Sequence, residues 1–189
     1  MSFTVAAIYT MMVTLMPLSV AKYTRGHGQE SETERDFRYK DIAKDIYEVV
    51  NDKYEEPLFG GADGKLRTAA LLVGVARAES GFNKDVDLGL GVASRGDAGA
   101  SWCILQINIG QGRTVEGWTG KDLVKERKKC IRASLRAMRD SFRMCSYLTE
   151  SRWLTAYAAG TCKSEHGQKA AKYRYWLSQK ALKALTKAE

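Results

Sequence analysis

A chain of 189 residues with 44% hydrophobic and 28% charged residues has the make-up of one folded domain with an extra segment, and it excludes a disordered or fibrous protein. Its formal charge of +8 points to a polyanionic partner, a description that nucleic acid, anionic lipid and bacterial cell wall all meet. No zinc-finger or short RNA-binding signature singles out nucleic acid.

The first charged residue is Lys22, and before it runs SFTVAAIYTMMVTLMPLSVA. That stretch is long enough to cross a bilayer, but threonine, serine, tyrosine and Pro17 dilute it. A secretory leader normally opens with a basic region, which this one lacks, and the small-residue site from Ser19 to Ala21 is weak. It reads as an export or anchor segment, a membrane-active arm or an arm packed on a partner. Membrane contact through residues 3–21 is the first expectation.

TRGHGQESETER, polar and glycine-containing, reads as a linker, which divides the chain into an N-terminal segment (1–35) and a domain (36–189). FRYKDIAKDIYEVVNDKY sets Ile42, Ile46, Val49 and Val50 at helical spacing, with charges on the other face. EPLFGGADGK is a turn-rich loop. LRTAALLVGVARAES is apolar nearly all round, the pattern of a helix buried in the core. Residues 81–101 hold seven glycines or serines and three aspartates, so a loop or short hairpin is expected there. WCILQINI is too short for an isolated helix and fits a strand or a packed turn. Lys121 to Tyr147 reads as one long helix, Ser151 to Ala159 as a shorter one and Gln168 to Lys187 as the last. The fold class is therefore mainly α, with a small irregular or β portion in the middle. Basic residues crowd KDLVKERKKCIRASLRAMRDSFR and KAAKYRYWLSQKALKALTK, each either a solvated helix face or a binding surface.

Cys103, Cys130, Cys145 and Cys162 form no CxxC pair, and their spacing suits no usual zinc site. On one long helix, Cys130 and Cys145 lie roughly 22 Å apart, beyond the reach of about 7 Å that a disulfide allows. The most economical pairing then joins Cys103 to Cys130 and Cys145 to Cys162. Four reduced, partly buried thiols are the other reading, so the compartment stays open.

In order the chain offers AESGF, GASWCILQINIG and LTAYAAG. This order resembles the lysozyme-like superfamily of peptidoglycan-cleaving enzymes. Lytic transglycosylases of the SLT type close a core helix with a glutamate-serine pair, follow it with a glycine-rich loop ending in a glutamine motif, and carry a tyrosine in an AYNAG-like helix start. ILQIN is also the wording of animal lysozymes after their catalytic loop. The resemblance covers residues 66–162. It implies a lysozyme-like α+β fold and cleavage of the MurNAc-GlcNAc β-1,4 bond in peptidoglycan glycan strands. It implies neither a metal nor an organic cofactor.

The chemistry needs an acid that still holds its proton near neutral pH, to protonate the leaving oxygen. Glu79 ends the apolar run, where partial burial disfavours the charged form and raises its pKa. A carboxylate at a helix C-terminus also opposes the helix dipole, a placement that is unfavourable unless something else requires it. By motif, Ser80 sits beside the acid, Gln106 and Asn108 fall in the substrate cleft, and Tyr157 hydrogen-bonds close to the acid. Gln106 could equally satisfy buried backbone, and Tyr157 could be ordinary core. Trp102 and Trp118 are either sugar-stacking platforms or core residues.

Aligned on ILQIN, Ser101 rather than aspartate occupies the second-carboxylate position of animal lysozymes. Asp97, in SRGDAG, is the candidate base for activating water, as goose-type lysozymes have aspartates in this loop; otherwise it is a turn residue beside glycine. Asp85 and Asp87 are poorer candidates. Without a second carboxylate, the substrate's N-acetyl group can attack the anomeric carbon and the 6-hydroxyl can close an anhydro ring, the lytic transglycosylase reaction. The chain departs from the pattern twice: AYAAG lacks the asparagine of AYNAG, and Cys103 stands where a glycine is usual, narrowing the site or tying it down through a disulfide.

The first expectation is thus a lytic transglycosylase, with a muramidase using Asp97 as the alternative. Such an enzyme would work in the periplasm or cell envelope after export, or on a virion, beside phage-tail or secretion-apparatus proteins. A non-catalytic module of such an apparatus and a basic nucleic-acid-binding protein are the rival classes. No specific nucleic acid is expected as a partner.

Overall fold

The computed structural model describes residues 3–20, 30–91 and 94–186. Ala21, the linker up to residue 29 and Lys187 lie outside them. The described residues form eight helices and a two-stranded antiparallel sheet.

The apolar N-terminal stretch yields α1 (Val5–Leu15), capped by Thr4, whose hydroxyl accepts from the Ala7 amide at 3.1 Å. Ile8, Met11 and Met12 have no exposed surface, and the helix packs on α2 (Glu32–Asn51), α3 (Gly64–Glu79) and α8 (Glu165–Thr186). Arg77 of α3 donates to the Leu15 carbonyl at 3.1 Å, at the end of α1, and Arg35 of α2 to that of Leu18 in the turn that follows. No described helix is long and apolar enough to cross a membrane. Within residues 3–21, read from sequence as membrane contact, apolar side chains from Phe3 to Leu18 lie in or against the domain's core, and the boundary at residue 35 falls inside α2. That helix starts earlier than its apolar spacing suggested because Ser31 and Glu34 form a capping box.

The run LRTAALLVGVARAES forms α3, buried on nearly every side from Leu66 to Ala76. Its long partner is α8, and the two touch backbone to backbone at Gly74. A Cβ there would stand 2.8 Å from the Ser178 nitrogen and 2.9 Å from the Arg174 carbonyl oxygen, so only glycine admits this approach.

The segment read as one helix over 121–147 is two, α5 (Gly120–Lys125) and α6 (Arg127–Met144), broken at the extended Glu126 (φ −130°, ψ 91°). The break delivers Arg127 to Asp87 and Asp45 at the start of α6. The stretch 151–159 is likewise a 3-10 turn, Glu150–Arg152, followed by α7 (Thr155–Ala159). Within the expected loop sits the short helix α4 (Lys84–Leu88), capped by Asn83 and closed by Gly89 in the left-handed region.

WCILQINI folds as a hairpin: β1 (Ser101–Trp102) pairs antiparallel with β2 (Ile107–Asn108), Ser101 opposite Asn108. Cys103 is bonded to Cys130 and Cys145 to Cys162, so the first disulfide ties the hairpin turn to α6 and the second ties the end of α6 to the segment before α8. No free cysteine remains. Two disulfides point to an oxidising, extracytoplasmic setting.

A buried ion cluster pins the chain after Glu79. Arg38 clamps Glu30 at 2.6 and 2.7 Å, reaches Asp87 at 3.4 Å and donates to the Phe82 carbonyl at 2.8 Å. Arg127 holds Asp87 from the other side at 2.8 and 2.9 Å. Phe82 turns the chain at φ +55° and buries its ring edge-on against Tyr39, 5.3 Å between centroids.

Candidate active site

A cleft of about 950 Å³ opens between the C-terminal end of α3, the hairpin, α6, α7 and α8. Glu79, Asp97, Gln106, Asn108 and Tyr157 all line it, so the fold brings five of the six residues singled out by sequence into one space. Ser80 is the sixth. Its hydroxyl donates to the Ala76 carbonyl (2.8 Å) and accepts from the Phe82 amide (3.2 Å), closing α3 instead of lining the cleft.

Glu79 is the last residue of α3 and 17% exposed at its side chain. Burial raises its pKa, Arg174 opposes that rise, and the negative charge of Asp97 adds to it; burial wins. Arg174 donates twice to the same oxygen, Oε1, at 2.9 and 2.5 Å, and no hydrogen bond from a described residue falls on Oε2. Arg174 reaches Glu79 because Gly74 lets α8 lie against α3 one turn earlier. Sequence reasoning passed over this residue. Its signal was available: at helical spacing it is the one cation on the face of α8 that carries Gly167, Ala171, Ser178 and Ala181, all buried.

The pKa of Asp97 is shifted the other way. Ser101 donates to its Oδ2 at 2.6 Å and Asn108 at 3.2 Å, and these bonds hold its pKa below the usual carboxylate range. Asn108 completes its own fit by accepting from the Gly110 amide at 3.0 Å. Asp97 and Ala98 both stand in the left-handed region, at φ +49° and +54°, as do Cys103 at +62° and Gln106 at +48° in the hairpin turn. Four non-glycine residues at positive φ, of which Asp97 and Gln106 line the cleft, mark a segment whose shape is enforced by its surroundings.

The enforcing bonds come from Gln106. Its Oε1 accepts from the Gly96 amide at 2.9 Å, and its Nε2 donates to the carbonyls of Cys103 (2.9 Å) and Ser94 (3.3 Å). The side-chain amide braces the loop that presents Asp97. Tyr157 behaves similarly: its hydroxyl donates to the Leu105 carbonyl at 2.8 Å instead of bonding Glu79, and burial together with the Glu79 charge pushes its pKa far up. Ser141 of α6 sets its backbone, accepting from the Tyr157 amide at 2.9 Å.

The tryptophans stand apart. Trp102 packs on Gly120, with the Arg95 guanidinium 4.0 Å from its ring centre, and Trp118 packs partly buried against the core; neither lines the cleft. Asp87 is consumed in the ion cluster, and Asp85 is buried with no hydrogen bond to its carboxylate from a described residue. The described residues contain no group of three or more metal-binding side chains. Compared with known proteins, the chain matches no family model, no curated protein and no solved structure.

Proposed function

We propose that the protein is a peptidoglycan-cleaving glycosidase of lysozyme-like fold that cuts the MurNAc-GlcNAc β-1,4 bond, with Glu79 as general acid. One observation carries this: a single cleft holds two carboxylates whose surroundings push their pKa values in opposite directions, Glu79 up and Asp97 down. Such a split suits one group to donate a proton while the other stays ionised.

Glycan enters along the hairpin and displaces water, and the drier cleft favours the neutral form of Glu79 further. The acid protonates the glycosidic oxygen as the bond to the anomeric carbon breaks. Asp97, ionised and aimed by Ser101 and Asn108, supports hydrolysis by taking a proton from the incoming water. The transglycosylase route asks less of the protein: the N-acetyl group attacks, and the Glu79 carboxylate accepts the proton of the 6-hydroxyl as the anhydro ring closes. The placement of Asp97 favours hydrolysis; the motif order favours the anhydro product.

Mass spectrometry of purified peptidoglycan digested by wild type and by Glu79→Gln tests the proposal. Cleavage by wild type is expected at a rate about 10²–10⁴-fold above the variant. Reducing ends identify a muramidase and anhydro-muramyl ends a transglycosylase. Intact glycan from wild type, where a control enzyme cuts, overturns the proposal and leaves a non-catalytic module.

A further inference from the structure

The two basic stretches part company in the structure. Every lysine and arginine of α6 meets a carboxylate, from Arg127 on Asp87 at its start to Arg143 on Asp140 at its end. On α8, only Arg174 does, turned inward to Glu79. Lys169, Lys172, Lys180 and Lys183 have no carboxylate partner among the described residues, and all four are exposed. At about 100° per residue they fall in one sector of the helix, roughly 100° wide, opposite the buried Ala171, Ser178 and Ala181. Glu165, the first residue of α8, is the one acid on that face.

Two large aromatic side chains share the sector. Tyr173 is 49% and Trp176 54% exposed, their rings stacked with centroids 5.9 Å apart. The Lys180 ammonium lies 5.5 Å from the Trp176 ring centre. A lone exposed aromatic residue is ordinary; a stacked pair set among four unpaired cations calls for a ligand that takes both.

We propose that this face of α8 binds an anionic lipid bilayer, adsorbing at the headgroup level without spanning it. The phosphate layer receives the lysines, and the boundary between headgroups and acyl chains receives the amphipathic rings. A polyanion in water would be served by the lysines alone. A glycan would need an open indole face, and Trp176 is flanked by Tyr173 one turn before it and Lys180 one turn after it. The two disulfides are in keeping with an extracytoplasmic leaflet as the surface. The inference does not depend on what the cleft does.

The test is co-sedimentation of the full chain with sucrose-loaded vesicles at physiological ionic strength. Binding is expected to equimolar phosphatidylglycerol and phosphatidylcholine, not to phosphatidylcholine alone, and it should weaken as salt is added. Each lysine near an anionic surface is worth about fivefold in partitioning, so the double variant Lys169→Gln/Lys172→Gln should bind roughly 25-fold more weakly. Trp176→Ser should cost about threefold, in proportion to the apolar area lost from the interface. The control Lys121→Gln/Lys125→Gln, outside the sector, should bind as wild type does. All these positions are exposed, so folding is not at stake. Failure to bind the anionic vesicles overturns the proposal. So does capture by soluble polyglutamate as tight as by the vesicles, with Trp176→Ser unchanged on both, since that defines a general polyanion surface.

Discussion

Glu79 and Asp97 face the same cleft with pKa values shifted in opposite directions, and their pH behaviour follows from the signs. As the proposed general acid Glu79 must be protonated to act, and its pKa is raised, so activity should be lost as pH rises through that raised value. If Asp97 activates water it must be ionised, and its pKa is lowered, so hydrolysis should be lost as pH falls through that lowered value. A bell-shaped kcat/KM profile on soluble peptidoglycan fragments is expected, its plateau between the two. Arg174 favours the ionised form of Glu79, so Arg174→Gln should move the alkaline limb to higher pH and leave the acid limb in place. A limb that stays put would show that Arg174 does not set the proton affinity of the acid. Asp97→Asn should lower kcat by about 10²-fold or more if the base activates water, with KM little changed; a loss of only a few-fold would assign the second step to the substrate's own N-acetyl group. Glu79 was legible in sequence because an acid closing an apolar helix conflicts with the helix dipole, and such a conflict asks for a reason. Arg174 was hidden because a basic run reads as surface until the buried face of its helix is drawn.

At the scale of elements, close contact between α3 and α8 positions the acid against its arginine. Gly74→Ala puts a methyl group 2.8 Å from backbone in α8, and backbone cannot swing aside as a flexible side chain can. Overpacking costs about 1–3 kcal/mol, partly offset by the roughly 1 kcal/mol that alanine gains over glycine within a helix. A net loss of up to about 2 kcal/mol is expected in urea unfolding, together with reduced activity, because Arg174 lies on the displaced turn. Periodicity made most helices readable, and α3 was plain from its all-round apolarity. The break at Glu126 was not readable, because the helical pattern runs through it; the pull comes from the buried pair of Arg127 with Asp87, 40 residues away in sequence. The destination of α1 was equally hidden. Hydrophobicity sets the wish to leave water, and a lipid core and a protein core satisfy it alike.

Across the whole molecule, two covalent ties hold the cleft's walls to α6. The hairpin whose Ser101 and Asn108 hold Asp97 contains two-residue strands, too short to persist without tertiary support. Cys103–Cys130 supplies that support and closes a span of 27 residues; Cys145–Cys162 closes 17 and fixes the segment between α6 and α8, on which Tyr157 lies. Chain-entropy arguments give about 3.6 kcal/mol for the first and about 3 kcal/mol for the second. Against the roughly 5–15 kcal/mol by which a domain is usually stable, losing both should remove a large share of the stability. Urea titration of the reduced protein should therefore show its midpoint collapse, while Cys103→Ser/Cys130→Ser alone should lower stability by about 3–4 kcal/mol. The single-tie variant also separates structure from chemistry. If the hairpin is held mainly by this bond, its cleavage activity should fall more than the unfolded fraction accounts for, because Asp97 and the strained turn loosen before the helices do. Activity tracking the folded fraction alone would instead credit the bracing by Gln106, whose three bonds to backbone would then suffice to hold the loop.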